Sequence, residues 1–288
     1  MKILAKDIFG LPGEIYPPII QDILEDSYNK QYHFLTRDDF KLLSEIDSKY
    51  VYWIEILYRS HWAATSNLIR YNKWFELCHN SSVTNPNYIA FCSGLRGILE
   101  CATDTYDALA SVPLTMAQLL NHIEDALLRR PTLNRIISTE LEDALIHFSF
   151  ARKLTKHEDA PESHKAKTAS EYIALLDSKD LPLKSLYAEL CQVVHPAHQS
   201  TAWLVGVEEQ YYKIQKPDDL AFILNLCGRY KECIEYIQVS SVNASMFIFK
   251  ILNMLSCPEL HNSSADKYDM SNIPLYKRID SAIRVQNA

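Results

Sequence analysis

One segment of the chain, predicted as a helix over 87–110, places an arginine and a glutamate inside an apolar pattern. The run Leu95-Arg-Gly-Ile-Leu-Glu100 separates Arg96 from Glu100 by four residues, so both side chains share one face of a helix. Ionisable groups on a core-facing helix cost free energy unless they are paired. The two residues therefore form either a structural ion pair or a polar cluster that shapes a pocket or holds a phosphate.

A second segment, predicted as a helix over 183–194, is mostly apolar and stops at a histidine. Tyr187, Cys191 and His195 are spaced four residues apart and line up along the helix. Pro196 disfavours the helical conformation for the residue before it, so His195 stands at the helix end. His195 either caps the helix and orders the turn, or acts as an acid/base or phosphate ligand with Tyr187 nearby. His198 lies one turn further along the chain.

A third candidate is the Arg-x4-His spacing of Arg152 and His157. A chain of this composition is expected to contain about one such match by chance, so the spacing alone carries little information. The histidines and acidic residues of 157–164 match no helical zinc motif, and their polar surroundings are typical of a solvated loop. We therefore expect no metal site in this segment.

Glycine is scarce, with six residues in 288. Neither G-x-G-x-x-G nor G-x-x-x-x-G-K-[ST] occurs, and without clustered glycines a loop cannot bring its backbone N–H groups close to a phosphate. The G-x-S-x-G elbow of serine hydrolases is also absent. Rossmann, P-loop and barrel folds are therefore discounted, and no cofactor is expected.

The formal net charge of −7 argues against a strongly basic nucleic-acid binder, but it is compatible with a local basic groove. The seven cysteines are scattered and form no C-x-x-C pair, which indicates reduced, buried thiols. The first residues contain no long apolar region, and no apolar run is long enough to span a bilayer. The sequence therefore predicts a cytoplasmic protein without a membrane partner.

Apolar residues recur at helical spacing along almost the whole chain, which predicts an all-α fold, a multi-helix bundle. We expect an N-terminal helical segment over 1–35, a helical-bundle core over 36–216 and a C-terminal helical extension over 217–288. Polar residues 80–86 indicate a loop, and 116–130 indicate one continuous helix. Pro196 is expected to open a helix that runs through Trp203 to Tyr211, although residues 202–214 also permit a two-residue alternation.

The two key segments resemble a group of bacterial helical proteins near the HEPN superfamily of nucleotide-binding and toxin-type domains. The run Gly94-Leu-Arg-Gly-Ile-Leu-Glu-Cys-Ala102 fits an LR-x-x-x-E helix. The run Tyr187-x-x-Leu-Cys-x-x-Val-His195-Pro fits a Y-x-x-L-[SC]-x-x-x-H helix. The resemblance covers about residues 40–200 and implies a HEPN-like core with extra C-terminal helices.

This resemblance implies either a metal-independent endoribonuclease of a bacterial toxin or antiphage-defence system, or a nucleotide or nucleic-acid sensor. In such nucleases an arginine and a histidine stabilise and protonate the cleaved phosphodiester while the RNA 2′-hydroxyl attacks. Carried onto this chain, Arg96 would neutralise phosphate charge and His195 would act as the acid/base. Tyr187 would orient His195, and Glu100 would fix Arg96.

The chain departs from the family's usual R-polar-x-x-x-H string, because Lys153 stands where Asn, Asp or His is usual. The alternative is a non-catalytic interaction subunit of a multi-protein complex, since four Trp and 17 Tyr offer anchors for an interface. The expected partners are RNA or a nucleotide, and another protein or a second copy of the chain. The candidate catalytic residues are Arg96, Tyr187 and His195, and the candidate substrate-binding residues are Glu100, Arg152, His157 and His198.

Overall fold

The computed structural model confirms the all-α prediction. It describes residues 3–131, 136–196, 198–209 and 211–286, without the side chains of Gln199 and Glu208. Helices account for 70% of the described residues and strands for 3%, which is the composition of a multi-helix bundle.

The helices vary widely in length, and one two-stranded hairpin interrupts them. The first helices are α1 (Ala5–Phe9), α2 (Pro12–Ser27), α3 (Arg37–Lys41), α4 (Glu45–His79), α5 (Tyr88–Leu109), α6 (Val112–Gln118), α7 (Leu120–Leu127), α8 (Thr139–Phe150) and α9 (Ala169–Leu176). They are followed by α10 (Leu183–Val194), α11 (Gln199–Ala202), β1 (Val205–Glu208), β2 (Tyr211–Ile214), α12 (Asp219–Arg229), α13 (Lys231–Leu252), α14 (Ser263–Asp266) and α15 (Pro274–Gln286). Short 3₁₀ turns occur at Glu162–His164 and Pro258–Leu260.

The chain forms two compact units, each assembled from three stretches of sequence. Unit 1 comprises Met1–Pro18, Ile69–Asp104 and Thr168–Val242, and unit 2 comprises Ile19–Leu68, Thr105–Lys167 and Asn243–Ala288. Helices α2, α4, α5 and α13 contribute residues to both units. The expected division into 1–35, 36–216 and 217–288 stays a prediction.

The core of unit 1 is built on aromatic rings and one satisfied polar side chain. The Phe9 ring lies 4.9 Å from the Phe75 ring and 6.2 Å from the Phe91 ring, measured between centroids. The buried Gln238 amide donates to the Phe9 carbonyl oxygen at 2.8 Å and accepts from the Tyr71 hydroxyl at 3.3 Å. Because an unsatisfied buried amide would cost free energy, these bonds also fix the position of α1.

The core of unit 2 contains a similarly satisfied amide. Asn262 donates to the Ile23 carbonyl oxygen at 2.9 Å and to the Ser27 hydroxyl at 3.0 Å, and its own side-chain oxygen caps α14 by accepting from Ala265 N. Helix α15 packs against α6 and buries Ile279 and Ile283, which are one turn apart.

The helix predicted from Pro196 to Tyr211 is wrong, because α11 ends at Ala202 and an antiparallel hairpin begins at Val205. Val205 pairs with Ile214, and the strands stay in register to the pair Glu208–Tyr211. The apolar residues here satisfy both a helical and a two-residue period, and β-branched residues favour the strand. At the base of the hairpin the Trp203 ring packs against Tyr88 at 5.6 Å.

Two further predictions need correction. The polar run 80–86 is not a loop throughout, because α4 continues as a π-helix over Asn80–Thr84. The Ser81 and Ser82 hydroxyls donate to the carbonyl oxygens of Leu77 and Cys78 at 2.6 and 2.7 Å, which satisfies acceptors at the helix end. The single helix predicted over 116–130 is instead α6 and α7, which are separated at Leu119.

Candidate functional site

Helix α10 is amphipathic, and this sets which of its side chains are available to a ligand. It buries four apolar residues at helical spacing in unit 1: Leu183, Leu186, Leu190 and Val193. Tyr187 and Cys191 lie on the flank of that stripe and are half-buried. The prediction of a helix over 183–194 matches the observed bounds.

Helix α5 carries the other candidate residues, Arg96 and Glu100, which belong to the same unit as α10. Its first N–H, on Tyr88, donates to the Asp219 carboxylate at 2.7 Å, which satisfies one of the unpaired donors of a helix start. Leu95, Ile98 and Leu99 are fully buried, whereas Arg96 and Glu100 lie at the edge of the buried face.

Arg96, Glu100 and Tyr187 come together in unit 1, and we refer to them with Cys191 as the Arg96 cluster. Arg96 Nε donates to Glu100 Oε1 at 2.9 Å. The Tyr187 hydroxyl donates to the same oxygen at 3.1 Å, although the two residues are 87 positions apart in sequence. The Arg96 guanidinium carbon lies 5.5 Å from the centre of the Tyr187 ring, within the range of a cation–π contact.

A close helix approach positions the backbone at Arg96. A Cβ added to the next residue, Gly97, would lie 2.3 Å from the Trp74 ring of α4, so only glycine permits this packing without displacement of the indole. The glycine thus lets α4 and α5 approach within unit 1 and places Arg96 at the edge of their contact.

Burial and charge keep Tyr187 neutral and Arg96 positively charged near neutral pH. Desolvation, followed by the negative charge of Glu100, raises the pKa of Tyr187 to about 12, so its hydroxyl remains a donor. Desolvation opposes the charge on Arg96, but the hydrogen bond and attraction to Glu100 outweigh it and raise the pKa of Arg96. Arg96 therefore remains a cation with a neutral tyrosine ring beside it.

One edge of the Arg96 guanidinium is available to solvent. The side chain is 27% exposed, and its hydrogen bond to Glu100 uses Nε. The Nη1 and Nη2 groups make no hydrogen bond or ion pair with any residue that the structure describes. A planar pair of N–H donors of this kind matches the geometry of a phosphate or carboxylate.

The two histidines are not bonded to the Arg96 cluster. His195 follows α10 in an extended conformation, and its backbone N–H donates to the Cys191 carbonyl oxygen at 2.9 Å, which makes it the C-cap residue. Its side chain and that of His198 are exposed. His195 lies eight residues beyond Tyr187, which corresponds to about 12 Å along a helix axis. No hydrogen bond joins either imidazole to Arg96, Glu100 or Tyr187 within the described part of the chain.

Arg152 and His157 belong to unit 2 and lie outside the helical pattern that precedes them. Helix α8 ends at Phe150, and Arg152 forms an ion pair with Glu158. The Arg152 backbone bonds to the His164 carbonyl oxygen and to the Ala166 N–H, at 2.9 and 3.0 Å. His157 is exposed. Arg152 and His157 therefore belong to a different unit from the Arg96 cluster.

One ion pair on α10 was not anticipated from the sequence. Arg229 of α12 pairs with Glu189 through both terminal nitrogens, and its Nε donates to Asn225 at 3.0 Å. The sequence shows Glu189 as the one acidic residue of a mostly apolar helix. Its partner Arg229 lies forty residues further along the chain, and the local sequence pattern does not identify this partner. Every edge of this guanidinium is engaged, in contrast to Arg96.

The described residues contain no group of three or more His, Cys, Asp or Glu side chains that could hold a metal ion. The expectation that the protein uses no metal or cofactor stays a prediction. No helix within the described ranges is both long and apolar enough to cross a bilayer.

Comparisons with known proteins give no match that indicates a function. No protein-family model matches the chain, and neither a curated protein nor a solved structure is significantly similar to it.

Proposed function

We propose that the protein binds a phosphate of RNA or of a nucleotide through Arg96. The proposal rests on how the Arg96 guanidinium is bonded. Its Nε donates to Glu100, whereas Nη1 and Nη2 have no partner among the described residues. An arginine that is fixed on one side and open on the other is pre-organised for a bidentate anion, because less side-chain entropy is lost on binding.

The chemistry of the neighbours fits this role. Glu100 contacts the Nε side of the guanidinium, and its charge is shared between Arg96 and the Tyr187 hydroxyl. The terminal edge of Arg96 is therefore the part of the cluster where a phosphate would meet least repulsion. The Tyr187 ring limits the orientations of the guanidinium, and half-burial strengthens an ionic hydrogen bond relative to bulk water.

Catalysis is a further step of this proposal and depends on His195. In the reaction that the HEPN resemblance implies, His195 would exchange a proton with the cleaved phosphodiester as the RNA 2′-hydroxyl attacks. It would have to reach hydrogen-bond distance of a phosphate bound at Arg96. Its exposed position at the end of α10 leaves the imidazole accessible to such a ligand. We propose a bacterial toxin or defence role on this resemblance alone.

The test compares RNA binding, RNA cleavage and growth arrest on expression for the wild type, Arg96→Gln and His195→Ala. Arg96→Gln should weaken RNA binding by about 10- to 150-fold, the effect of one ionic hydrogen-bonded contact. Arg229→Gln is the matched control, because Arg229 is fully engaged by Glu189 and Asn225 and should leave RNA binding unchanged.

The His195→Ala variant separates a nuclease from a sensor. Loss of cleavage and growth arrest with RNA binding retained would assign His195 to catalysis. RNA binding by a wild type that never cleaves would favour the sensor, and equal RNA binding by wild type and Arg96→Gln would refute the proposal. Circular dichroism and unfolding curves on each variant identify any loss of folding.

We propose a reducing, cytoplasmic location. All seven cysteines are free thiols, and six of them are buried. Burial raises the pKa of several of these thiols, Cys92 and Cys227 to about 12, which keeps them unreactive.

A second candidate function is a non-catalytic interaction subunit, and the β1–β2 hairpin favours it. Val207, Tyr211, Tyr212 and Ile214 are between 67% and 81% exposed. A two-stranded hairpin with so much exposed apolar surface is marginally stable by itself, so a partner that covers it would stabilise it. The double variant Tyr212→Ser/Ile214→Ser should abolish a self-association or co-purification that the wild type shows, while RNA binding persists.

A further inference from the structure

We propose that unit 2 carries a separate binding site for single-stranded nucleic acid, in which bases stack on a row of aromatic rings and a phosphate is held by Arg59. The row consists of Trp62, Tyr32, Tyr58, Phe34 and Phe150, with Arg59 between the last two, and we refer to it as the aromatic row. The site shares no residue with the Arg96 cluster, so the inference does not rest on the proposed function.

The aromatic row is continuous. The Trp62 and Tyr32 rings are stacked at 6.3 Å with planes 8° apart, and Tyr32 lies 5.8 Å from Tyr58. The Tyr58 ring meets Phe34 edge to face at 6.1 Å. The Arg59 guanidinium carbon then lies 4.6 Å from the Phe34 ring centre and 5.8 Å from that of Phe150. Each member is thus within contact range of the next.

Several hydrogen bonds hold the row in place. The Leu35 N–H donates to Glu55 Oε1 at 2.8 Å and fixes the segment before α3 against α4. The Tyr32 hydroxyl is bonded to Nδ1 of the buried His61 at 2.7 Å. Arg59 Nη1 donates to the Ser149 hydroxyl at 3.2 Å. Rings held in this way lose little conformational freedom when a base stacks on them.

The Trp62 end of the row is open to solvent. The side chains of Trp62 and Phe150 are 38% and 46% exposed, and the four members between them are half-buried. The Phe150 ring is stacked on the His164 ring at 5.0 Å, so the stacking surface for a ligand is that of Trp62. Every nucleobase has an apolar face of similar size.

The charge of this surface favours an anionic ligand. Arg59 has no carboxylate partner among the residues that the structure describes. The segment 151–167, which follows Phe150 in the sequence, contains five Lys or Arg and three Asp or Glu in a chain whose net charge is −7. Three of these cations are in ion pairs, namely Arg152, Lys165 and Lys167. Lys153 and Lys156 of this segment are exposed. Aromatic rings beside unneutralised cations are the combination that binds single strands without sequence preference.

A single strand fits this surface better than a duplex. Bases in a duplex are already stacked on one another, so their faces are closed to protein rings, whereas an unpaired strand can place its bases on the aromatic row. We therefore expect binding to depend on the bases as well as on the phosphates, and to tolerate changes of sequence.

Fluorescence anisotropy with a labelled oligouridylate tests this inference in protein that carries Arg96→Gln, so that the Arg96 cluster contributes no phosphate binding. In this background Trp62→Ala should weaken binding by about 5- to 150-fold, the effect of losing one stacking ring. Tyr106→Ala is the matched control, because Tyr106 is 43% exposed, belongs to the same unit as Trp62 and is not a member of the aromatic row. The Tyr106→Ala protein should bind the oligonucleotide as tightly as the parent Arg96→Gln protein.

Three further measurements complete the test. Arg59→Lys keeps the charge but loses the planar contact with Phe34 and Phe150, and should also weaken binding. An abasic oligonucleotide of equal length should bind at least 5-fold less tightly than oligouridylate. Arg96→Gln should leave the aromatic row functional, so Trp62→Ala must still weaken the remaining binding in that background. Equal affinity of Trp62→Ala and Tyr106→Ala, or of the abasic and normal strands, would overturn the inference.

Discussion

The Tyr187 hydroxyl donates to the same oxygen of Glu100 that accepts Arg96 Nε, at 3.1 and 2.9 Å. One carboxylate oxygen thus joins helices α5 and α10 of unit 1. Because the oxygen is saturated by two donors, the position of the Arg96 guanidinium depends on both helices. This relationship explains how an arginine can be ordered while its terminal nitrogens stay open.

Removal of the Tyr187 hydroxyl should loosen this arrangement. Tyr187→Phe keeps the ring beside Arg96 but deletes one hydrogen bond, so the free energy of unfolding should fall by about 0.5–1.5 kcal/mol. Urea denaturation measures the change. A Tyr187→Phe protein as stable as the wild type would show that the hydrogen bond contributes nothing in solution.

Glu100→Gln should lower the pKa of Tyr187. Burial is the largest cause of the raised pKa of about 12 and persists in the variant, whereas the repulsion between tyrosinate and the Glu100 carboxylate is removed. The pKa of Tyr187 should therefore lie below its wild-type value and above that of a free tyrosine. Nuclear magnetic resonance of ¹³C-labelled tyrosine across alkaline pH reports it, and an unchanged pKa would contradict the assigned contact.

Two of the helical glycines, Gly97 and Gly228, should respond in opposite ways to alanine. At Gly97 the added Cβ would meet the Trp74 ring at 2.3 Å, so Gly97→Ala should destabilise the protein by about 1–3 kcal/mol. At Gly228 nothing lies within 4 Å, so Gly228→Ala should raise stability by up to about 1 kcal/mol through helix propensity. Thermal unfolding of both variants checks the pair, and a stabilising Gly97→Ala would exclude the close helix approach.

The buried His61 should make stability depend on acid pH. Desolvation, followed by repulsion from Lys30, lowers its pKa to about 4, from about 6.5 in an unfolded chain. The unfolded state therefore binds a proton first, and stability that is fully present above pH 6.5 is lost as the pH falls towards 4. The loss amounts to about 3 kcal/mol.

The His61→Gln variant isolates this contribution. It retains an acceptor for the Tyr32 hydroxyl but cannot titrate, so the difference in unfolding free energy between wild type and variant should change between pH 7 and pH 4.5. Tyr32→Phe should lower stability by a similar amount at both pH values. Parallel pH profiles for wild type and His61→Gln would contradict the assignment.

Local periodicity was enough to predict α10, whose observed bounds are those expected, and α5 to within one residue at each end. Both helices have a clear apolar stripe and a proline or polar residue before the start. The sequence favours a helix in place of the hairpin because Trp203, Val207 and Tyr211 repeat at helical spacing, although residues 202–214 also permit a two-residue alternation. The π-helix after His79 was not predicted, because serine is typical of loops. Here the Ser81 and Ser82 hydroxyls donate to carbonyl oxygens at the end of the helix.

The candidate site shows a different limit of sequence reasoning. Periodicity placed Arg96 with Glu100 and Tyr187 with Cys191 on their own helices, but it could not tell which face of α5 meets α10. That depends on packing between segments 87 residues apart, including the contact of Gly97 with Trp74. The HEPN resemblance of the same residues stays a prediction.

The most direct test of the central claim follows the guanidinium itself. In protein labelled with ¹⁵N-arginine, the Arg96 Nε–H signal, identified by its loss in Arg96→Lys, is recorded during titration with a nucleoside monophosphate. We predict a saturable shift of the Arg96 signal and none of the Arg229 signal, because Glu189 and Asn225 already occupy Arg229. An Arg96 signal that does not move, or that moves only together with that of Arg229, would contradict phosphate binding at this site.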